Sequence, residues 1–296
     1  MMKFLFVIVF LVVASVQDNI NATDGSEYLY KAIKSGRVDV VTFLIDNGAN
    51  VNEFGEKKVN EFEPSPVTPL QLAVAKSQTE IVKILIEHGG DVNYVNDKNE
   101  TLLHIATMFD NLEICKILVA NGMNVNAEDY EKVIPLDIAA VYGSNEIVEY
   151  LIARGANITA NGELMLTPLH MAAWNGNLNT CKSLIAHGAD VNAKNEMNFT
   201  PLHFVAVLGT KELAEYLITE GANVNATGEG MMTPLHSAYF FGNKEVQEVL
   251  IANKADENAK DENNKIPREM DNEKGKKEKL QIIATINSKK RMFESL

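Results

Sequence analysis

The residues with the clearest chemical potential are four histidines that recur at a fixed register: His104, His170, His203 and His236. Imidazole can bind metal ions or transfer protons, so such a row could mark a metal site or a catalytic base. Their spacings are multiples of 33 residues, and equivalent positions in stacked repeats lie about 10 Å apart, the distance between packed helices. Imidazoles bound at about 2 Å cannot share one ion across that distance. The pattern therefore predicts no metal site and no catalytic base.

The other chemical signatures give the same expectation. The chain contains no nucleophile elbow, phosphate loop, His-Glu-x-x-His or Cys-x-x-Cys motif. The two cysteines, Cys115 and Cys181, are 66 residues apart, which places them two repeats and about 20 Å from each other. A disulfide needs Cα atoms within about 7 Å. We therefore expect two separate buried thiols, no cofactor and no enzymatic activity.

A four-residue motif of the Thr-Pro-Leu-His type organises these residues. It recurs without a slip every 33 residues, and a fixed period in this range is typical of a stacked repeat protein. The Thr is expected to cap a helix, the Pro to occupy its first turn and the Leu to begin its buried face. The copies start at Thr68, Thr101, Ile134, Thr167, Thr200 and Thr233, with a degenerate copy at Ile266.

Each motif predicts a pair of helices. The first is short and ends near a glycine, and the second has apolar residues at helical spacing and ends at Gly-Ala, as in Gly188-Ala189. Small alanines let neighbouring units approach closely, so each unit buries its apolar face on the next one. The glycines expected to close the first helix are Gly143, Gly176, Gly209 and Gly242.

The run Thr-Pro-Leu-His-x-Ala-Ala, the closing glycine and the ending Gly-Ala-x-Val-Asn resemble the ankyrin-repeat family over roughly residues 26–290. The resemblance implies an all-α repeat solenoid of helix-turn-helix units with β-hairpin fingers, and a concave groove that binds protein partners. It also implies that the recurrent histidines hydrogen-bond to the finger backbone. We assign the repeat domain to residues 27–296, with a degenerate first unit at 27–59 and a C-terminal cap at 266–296.

The first finger carries an insertion. Eight more residues separate Asn52 from Thr68 than separate Asn93 from Thr101. Insertions in repeat arrays often lie on the binding face. A tolerated surface loop explains the same residues, because lengthening a loop costs little free energy.

The N-terminus predicts export. Lys3 precedes the apolar run Phe4–Val13, and small residues follow, which is typical of a secretory signal peptide. We assign residues 1–17 to that leader and 18–26 to a short linker. A secreted location is expected; an uncleaved anchor, a misassigned start and a cytoplasmic location are the alternatives.

Export would expose Asn-x-Thr triplets to glycosylation. A chain this rich in asparagine contains several by chance, so they permit the modification without showing that it occurs. The five candidate residues are Asn21, Asn99, Asn157, Asn198 and Asn225.

Charge is divided along the chain. Residues 265–296 contain nine basic and five acidic side chains, a net of +4, and the whole chain carries −13, so residues 1–264 carry −17. An acidic stack opposes nucleic-acid binding because phosphate is repelled. A carboxylate row at the fingers could steer a basic partner, and a solubilising edge is the equally weighted alternative. Its residues are Asp97, Glu163, Glu196, Glu229 and Glu262, with Tyr130 in the same register.

Apolar residues in register predict a binding surface. In the family, the two residues before the closing glycine project into the groove, and here these positions are largely apolar or aromatic. Aromatic and Met side chains are favoured at interface cores; packing against the neighbouring unit is the alternative. The pairs are Met108/Phe109, Val141/Tyr142, Trp174/Asn175, Val207/Leu208 and Phe240/Phe241, and the adjacent finger residues are Leu164, Met165, Leu166, Met197, Phe199, Met231 and Met232.

These features favour a non-catalytic module that binds another protein, as a secreted adaptor, inhibitor or effector. Apolar anchors would supply affinity and the acidic row orientation. An intracellular scaffold or regulator is the first alternative. A toxin-like secreted component is the second, since similar arrays form the body of large spider neurotoxins.

Overall fold

The fold is built from short helices in pairs. The computed structural model describes residues 22–54, 67–142, 144–160, 162 and 165–270. The helices in these ranges are α1 Ala22–Lys34, α2 Val38–Asp46, α3 Pro69–Ala75, α4 Thr79–Glu87, α5 Leu102–Met108, α6 Leu112–Ala120, α7 Pro135–Tyr142, α8 Asn145–Ala153, α9 Pro168–Trp174, α10 Leu178–Ala186, α11 Pro201–Leu208, α12 Lys211–Thr219, α13 Pro234–Phe240 and α14 Lys244–Ala252, with 3₁₀ turns at Glu229–Met231 and Pro267–Met270.

The helices form two layers. The first helices of successive units pack on one another, as α9 does on α7 and α11, and the second helices form the other layer, as α10 does on α8. Each first helix also packs on the second helix of its own unit. The predicted all-α repeat solenoid is therefore confirmed.

The leucines of the repeated motif form the centre of the stack. All six are fully buried and belong to one apolar cluster that runs from the first unit to the last described one. No unit closes a core alone, so stability is a sum of contacts between neighbours. The six are Leu70, Leu103, Leu136, Leu169, Leu202 and Leu235.

The start of each first helix is fixed by a reciprocal cap. In the last of the six clear units, for example, the backbone N–H of Thr233 donates to Nδ1 of His236 at 3.2 Å. The imidazole therefore carries its proton on Nε2, which donates to the carbonyl of Lys265 in the next finger at 3.1 Å. The cap and the bond from Nε2 together satisfy buried backbone groups at the helix start and in the following turn.

The fingers are tighter than predicted. Backbone bonds within a few residues close them, such as Asn195 N–H to the Phe199 carbonyl at 3.0 Å and Gly228 N–H to the Met232 carbonyl at 2.9 Å. In the ranges that the structure covers, the one β-bridge joins Val95 to Thr101. The expected β-hairpins are thus short turns, because only one or two residues on each side of a finger pair with residues on the other side.

The linker and the closing glycine Gly209 can be compared with the structure, and several other expectations lie outside the described ranges. The linker assigned to 18–26 overlaps α1, which begins at Ala22, because the buried residues Ser26 and Leu29 need the preceding helical turn. Gly209 closes α11 as predicted, its N–H donating to the Val205 carbonyl at 2.8 Å, with an extended backbone of φ −73° where Gly176 and Gly242 are left-handed. Gly143, the leader at 1–17, most of the finger insertion and residues 271–296 fall outside the described ranges.

Candidate functional site

The histidine row has a structural role. His104, His170 and His203 each join the first helix of their unit to the next finger through Nε2, at 3.0–3.1 Å from a backbone carbonyl. Burial lowers the pKa of all three, to about 4 for His170 and His203. Neutral rings that already use both nitrogens offer no free base and no ligand.

The two cysteine thiols are buried and poorly reactive. Cys115 and Cys181 are free and fully buried, and burial raises their pKa values to about 11 and 12. Such thiols are poor nucleophiles. Within the described residues, no three His, Cys, Asp or Glu side chains come together in a group that could hold a metal ion.

The predicted groove pairs line one side of the stack, where the first helices end. All ten side chains are half-buried. Part of this burial comes from packing within the stack, because the Trp174 ring lies 5.0 Å from the Phe204 ring of the next unit. The Phe240 and Phe241 rings meet edge to face at 4.9 Å. The pairs therefore contribute to packing within the stack and also present a partly accessible, largely apolar surface.

Two members of these pairs, Phe109 and Asn175, also take part in ending their helices. Both lie one residue beyond the ends of α5 and α9, where their backbone N–H groups close the last helical turn. Nδ2 of Asn175 donates to the Met171 carbonyl at 3.0 Å, so this amide folds back on its own helix. Phe109 precedes Asp110, with φ 53°, and not a glycine, so the glycine register that selected Phe109 does not hold in this unit. Phe109 and Asn175 thus help to end their helices, as Phe241 does after α13, and their role in partner binding stays a prediction.

Two finger residues differ from the rest. Met165 and Met231 are 48% and 58% exposed, and both have left-handed backbones, with φ 55° and 59°. The same register in other fingers is occupied by Asn99, Asn198 and Asn264, and once by Lys132. Asn tolerates this conformation well, whereas a longer side chain there is uncommon. Met165 and Met231 thus combine backbone strain with an exposed apolar side chain, and sequence reasoning identified the residues without their conformation.

The other predicted finger residues are more deeply packed. Leu166, Met197, Phe199 and Met232 are half-buried. The Phe199 ring fills the space beside Gly228, where an added Cβ would stand 2.1 Å from that ring. Phe199 is therefore a packing residue of the finger, while Leu164 lies outside the described residues.

The carboxylates of the fingers form an exposed row. Asp97, Glu196, Glu229 and Glu262 are exposed, and Glu163 lies outside the described residues. Backbone bonds fix the spacing of the row, since Glu229 N–H donates to the Met197 carbonyl at 2.7 Å and Glu262 N–H to the Gly230 carbonyl at 2.9 Å. Tyr130, in the same register, is 75% exposed.

Asparagine side chains connect the units at the opposite turns. Nδ2 of Asn126 donates to the Gly155 carbonyl at 2.9 Å, and its Oδ1 accepts from Asn157 N–H at 2.7 Å. Asn52, Asn192 and Asn225 make the same two bonds to the following unit. We call Asn52, Asn126, Asn192 and Asn225 the asparagine ladder.

The glycosylation triplets fall in unlike surroundings. Nδ2 of Asn225 is used in the ladder, and Nδ2 of Asn99 donates to the Glu128 carbonyl at 2.8 Å. Asn157 and Asn198 are exposed, and Asn21 lies outside the described residues. Among the described helices, none is long and apolar enough to cross a bilayer.

Family models for ankyrin repeats match the chain almost throughout. A three-copy ankyrin-repeat model matches residues 54–129, 70–162, 129–195 and 169–261, and a single-repeat model matches residues 17–55. Among solved structures, the human ASB11 ankyrin repeat domain aligns with a TM-score of 0.65 and 26% identity, over 73% of this chain and 97% of that domain.

Curated relatives match over shorter stretches. An ankyrin repeat protein of Acanthamoeba polyphaga mimivirus is 34% identical over 85 residues, 29% of this chain and 51% of the relative. The human 2-5A-dependent ribonuclease is 40% identical over 70 residues, 24% of this chain and 8% of the enzyme. The chain thus spans less than two thirds of either relative, and the likeness is confined to repeats. With the paired helices, the caps and the family matches in agreement, the chain belongs to the ankyrin-repeat family.

Proposed function

We propose that the chain is a non-catalytic protein-binding module that is exported and acts as an adaptor, inhibitor or effector. Ankyrin repeats are generally protein–protein interaction modules, and within the described residues His170 and its equivalents serve as helix caps while both cysteines are buried. The proposed binding surface comprises the half-buried groove pairs and the adjacent finger tips.

The exposed, strained methionines Met165 and Met231 carry the proposal. A left-handed backbone costs a non-glycine residue about 1–2 kcal/mol, and exposing an apolar side chain brings no packing energy in return. Asn at the same register in other fingers shows that the fold accepts a cheaper residue. Backbone strain that the fold does not require is typical of binding sites. Glu196 and Glu229 lie in the fingers nearby, so a partner surface with apolar and basic side chains is favoured.

The test replaces both methionines by lysine, the residue that the stack uses at this register in Lys132, because asparagine there would create new Asn-x-Thr triplets at Thr167 and Thr233. Cross-linking and quantitative mass spectrometry on the native cell type compare the partners captured by wild-type protein and by Met165→Lys/Met231→Lys. Lys116→Ala, on the exposed face of α6, is the matched control. We expect the double variant to lose its specific partners while the control retains them. Equal capture by all three forms would remove the finger tips from the binding site.

Export is tested separately by the N-terminus. Mass spectrometry of medium and lysate should find a chain in the medium that begins near residue 18. An intact Met1 in the cytosol instead favours the alternative, an intracellular scaffold.

A further inference from the structure

One turn lacks the asparagine from which the ladder is built. At the register of Asn126 and Asn192, the turn that follows α8 has Thr159. A threonine cannot donate to the Gly188 carbonyl and accept from Asp190 N–H in the way that the ladder asparagines do, because it lacks the amide. The same residue completes the triplet that begins at Asn157. Thr159 therefore leaves the ladder without its bonds to the next unit and also completes a glycosylation triplet.

The geometry of this triplet leaves its acceptor nitrogen open. Oδ1 of Asn157 accepts from the backbone N–H of Thr159 at 3.0 Å and from its hydroxyl at 2.9 Å. Across the part of the chain that the structure describes, Nδ2 of Asn157 donates to no protein group, and both residues are exposed. The side chain is held by its oxygen while its nitrogen faces solvent.

The other described triplets are obstructed in the folded chain. Nδ2 of Asn225 donates to the Lys254 carbonyl and Nδ2 of Asn99 to the Glu128 carbonyl. A glycan on either nitrogen replaces one N–H with a bulky substituent next to the neighbouring unit. At Asn198 the amide is exposed, but Thr200 of its triplet is 1% exposed and its hydroxyl is 3.0 Å from Nδ1 of His203.

We propose that Asn157, among the triplets in the described ranges, is the residue that carries an N-linked oligosaccharide. The proposal rests on the export proposed above. In the transfer, a bond forms between Nδ2 and the anomeric carbon of an oligosaccharide held on a lipid diphosphate. The bond from that carbon to the diphosphate oxygen breaks, the lipid diphosphate leaves with the electron pair, and the amide proton passes to a base of the transferring enzyme.

The experiment maps site occupancy in two forms of the full chain made by animal cells. One form keeps its own N-terminus, and the other has a borrowed cleavable leader placed ahead of it. Glycans are released enzymatically in heavy-oxygen water, which marks each formerly modified asparagine as aspartate for peptide mass spectrometry. We expect Asn157 to be occupied and Asn99 and Asn225 to be essentially unmodified.

The two forms separate failure of this inference from failure of export. Sugar at Asn157 only in the form with the borrowed leader would support the site and overturn export by the chain's own N-terminus. In a chain that has entered the secretory path, an unmodified Asn157 overturns the inference. Occupancy at Asn225 as high as at Asn157 overturns it too.

Variants of Thr159 supply the matched control. Thr159→Ser keeps the triplet and should keep the glycan, whereas Thr159→Asn abolishes the triplet and restores the ladder residue. In bacterial, unglycosylated protein, Thr159→Asn should raise the melting temperature by about 2–4 °C, the shift that about 1 kcal/mol gives in a domain of this size. A lowered melting temperature would contradict the assigned ladder gap.

Discussion

At the scale of single residues, Asp137 is the exception among the residues that cap the first helices. It occupies the register of the four histidines and accepts the backbone N–H of Ile134 through Oδ2 at 3.0 Å. Its Oδ1 is buried and has no hydrogen-bond partner among the described residues. Burial raises the pKa of Asp137 to about 7. The carboxyl thus caps as a histidine does but leaves one oxygen unsatisfied when it is charged.

Replacing Asp137 by Asn should stabilise the protein at alkaline pH and change little at acidic pH. Because the folded pKa lies above the ordinary value near 4, the stability that protonation adds grows as pH falls through 7 and is lost above it. Asn removes the buried charge that Asp137 carries above pH 7, the costly part of its burial, and we expect a gain of about 1–3 kcal/mol at those pH values. Denaturant titrations at alkaline and acidic pH measure it. Glu196→Gln, an exposed change, is the control, and an equal gain at both pH values would contradict the assignment.

The histidine caps should respond to acid in the opposite direction. The pKa of His203 is lowered to about 4, so its contribution to stability is present above the ordinary value of about 6.5 and is lost as pH falls towards 4. Gln71 makes the same reciprocal cap in the first clear unit without a titrating group. His203→Gln should therefore reduce the loss of stability between pH 6.5 and 4, measured by thermal melts across that range. If the variant loses as much stability as the wild-type protein between pH 6.5 and 4, protonation of His203 does not cause that loss.

At the scale of elements, the fingers divide into relaxed and strained ones. Met231 and Asn198 share one backbone conformation, with φ 59° and 57°. Because Asn tolerates this region better than Met does, Met231→Asn should raise the free energy of unfolding by about 1 kcal/mol. The reciprocal Asn198→Met should lower it by a similar amount. Denaturant unfolding of both bacterial proteins tests the pair, and shifts of the same sign would contradict the strain argument.

The helices were predictable from the sequence because each unit repeats the same buried positions. Thr167, Pro168 and Leu169 carry the cap, the first turn and the core contact in adjacent residues, and so mark where the helix starts. The finger conformations had no such signal, since Met at a register of Asn shows strain only once the backbone is known. The ladder gap at Thr159 was equally hidden, because neither the ladder nor its bonds could be assigned before the turns were placed.

The candidate binding surface was only partly predictable. Register alone placed the groove pairs together on one side of the stack, as the structure has them. The register could not show how much of each side chain is accessible and how much packs inside the stack, because the contact of Trp174 with Phe204 depends on the relative orientation of adjacent units. Nor could it show that the amide of Asn175 bonds to its own helix, because that bond needs the exact helix end. The functional role of the groove and finger residues stays a prediction.

At the scale of the whole molecule, contacts join only neighbouring units, so damage should remain local. Cys115 in α6 and Cys181 in α10 are buried thiols in separate units and report on each of them. Leu184 lies in the same helix as Cys181 and is fully buried, and its truncation to Ala should cost about 2–5 kcal/mol.

Leu184→Ala should therefore speed labelling of Cys181 by a thiol reagent more than labelling of Cys115. Pulsed alkylation followed by peptide mass spectrometry gives the two rates in one sample. Leu85→Ala, in α4 at the other end, is the control and should spare Cys181. Equal acceleration at both sulfurs would mean that the stack opens as one unit.

The break in the asparagine ladder also has a mechanical meaning. Because each unit touches only its neighbours, the deformation of the stack under load is the sum of the deformations at its joints. The joints with the fewest inter-unit bonds should deform most. The joint after Thr159 keeps its helix packing but lacks the two amide bonds that Asn126 and Asn192 make at theirs. Asn93, at the same register, makes neither bond among the described residues. Under tension or torsion the array should deform most readily at these two joints, so that a partner spanning them binds segments that can change their relative angle.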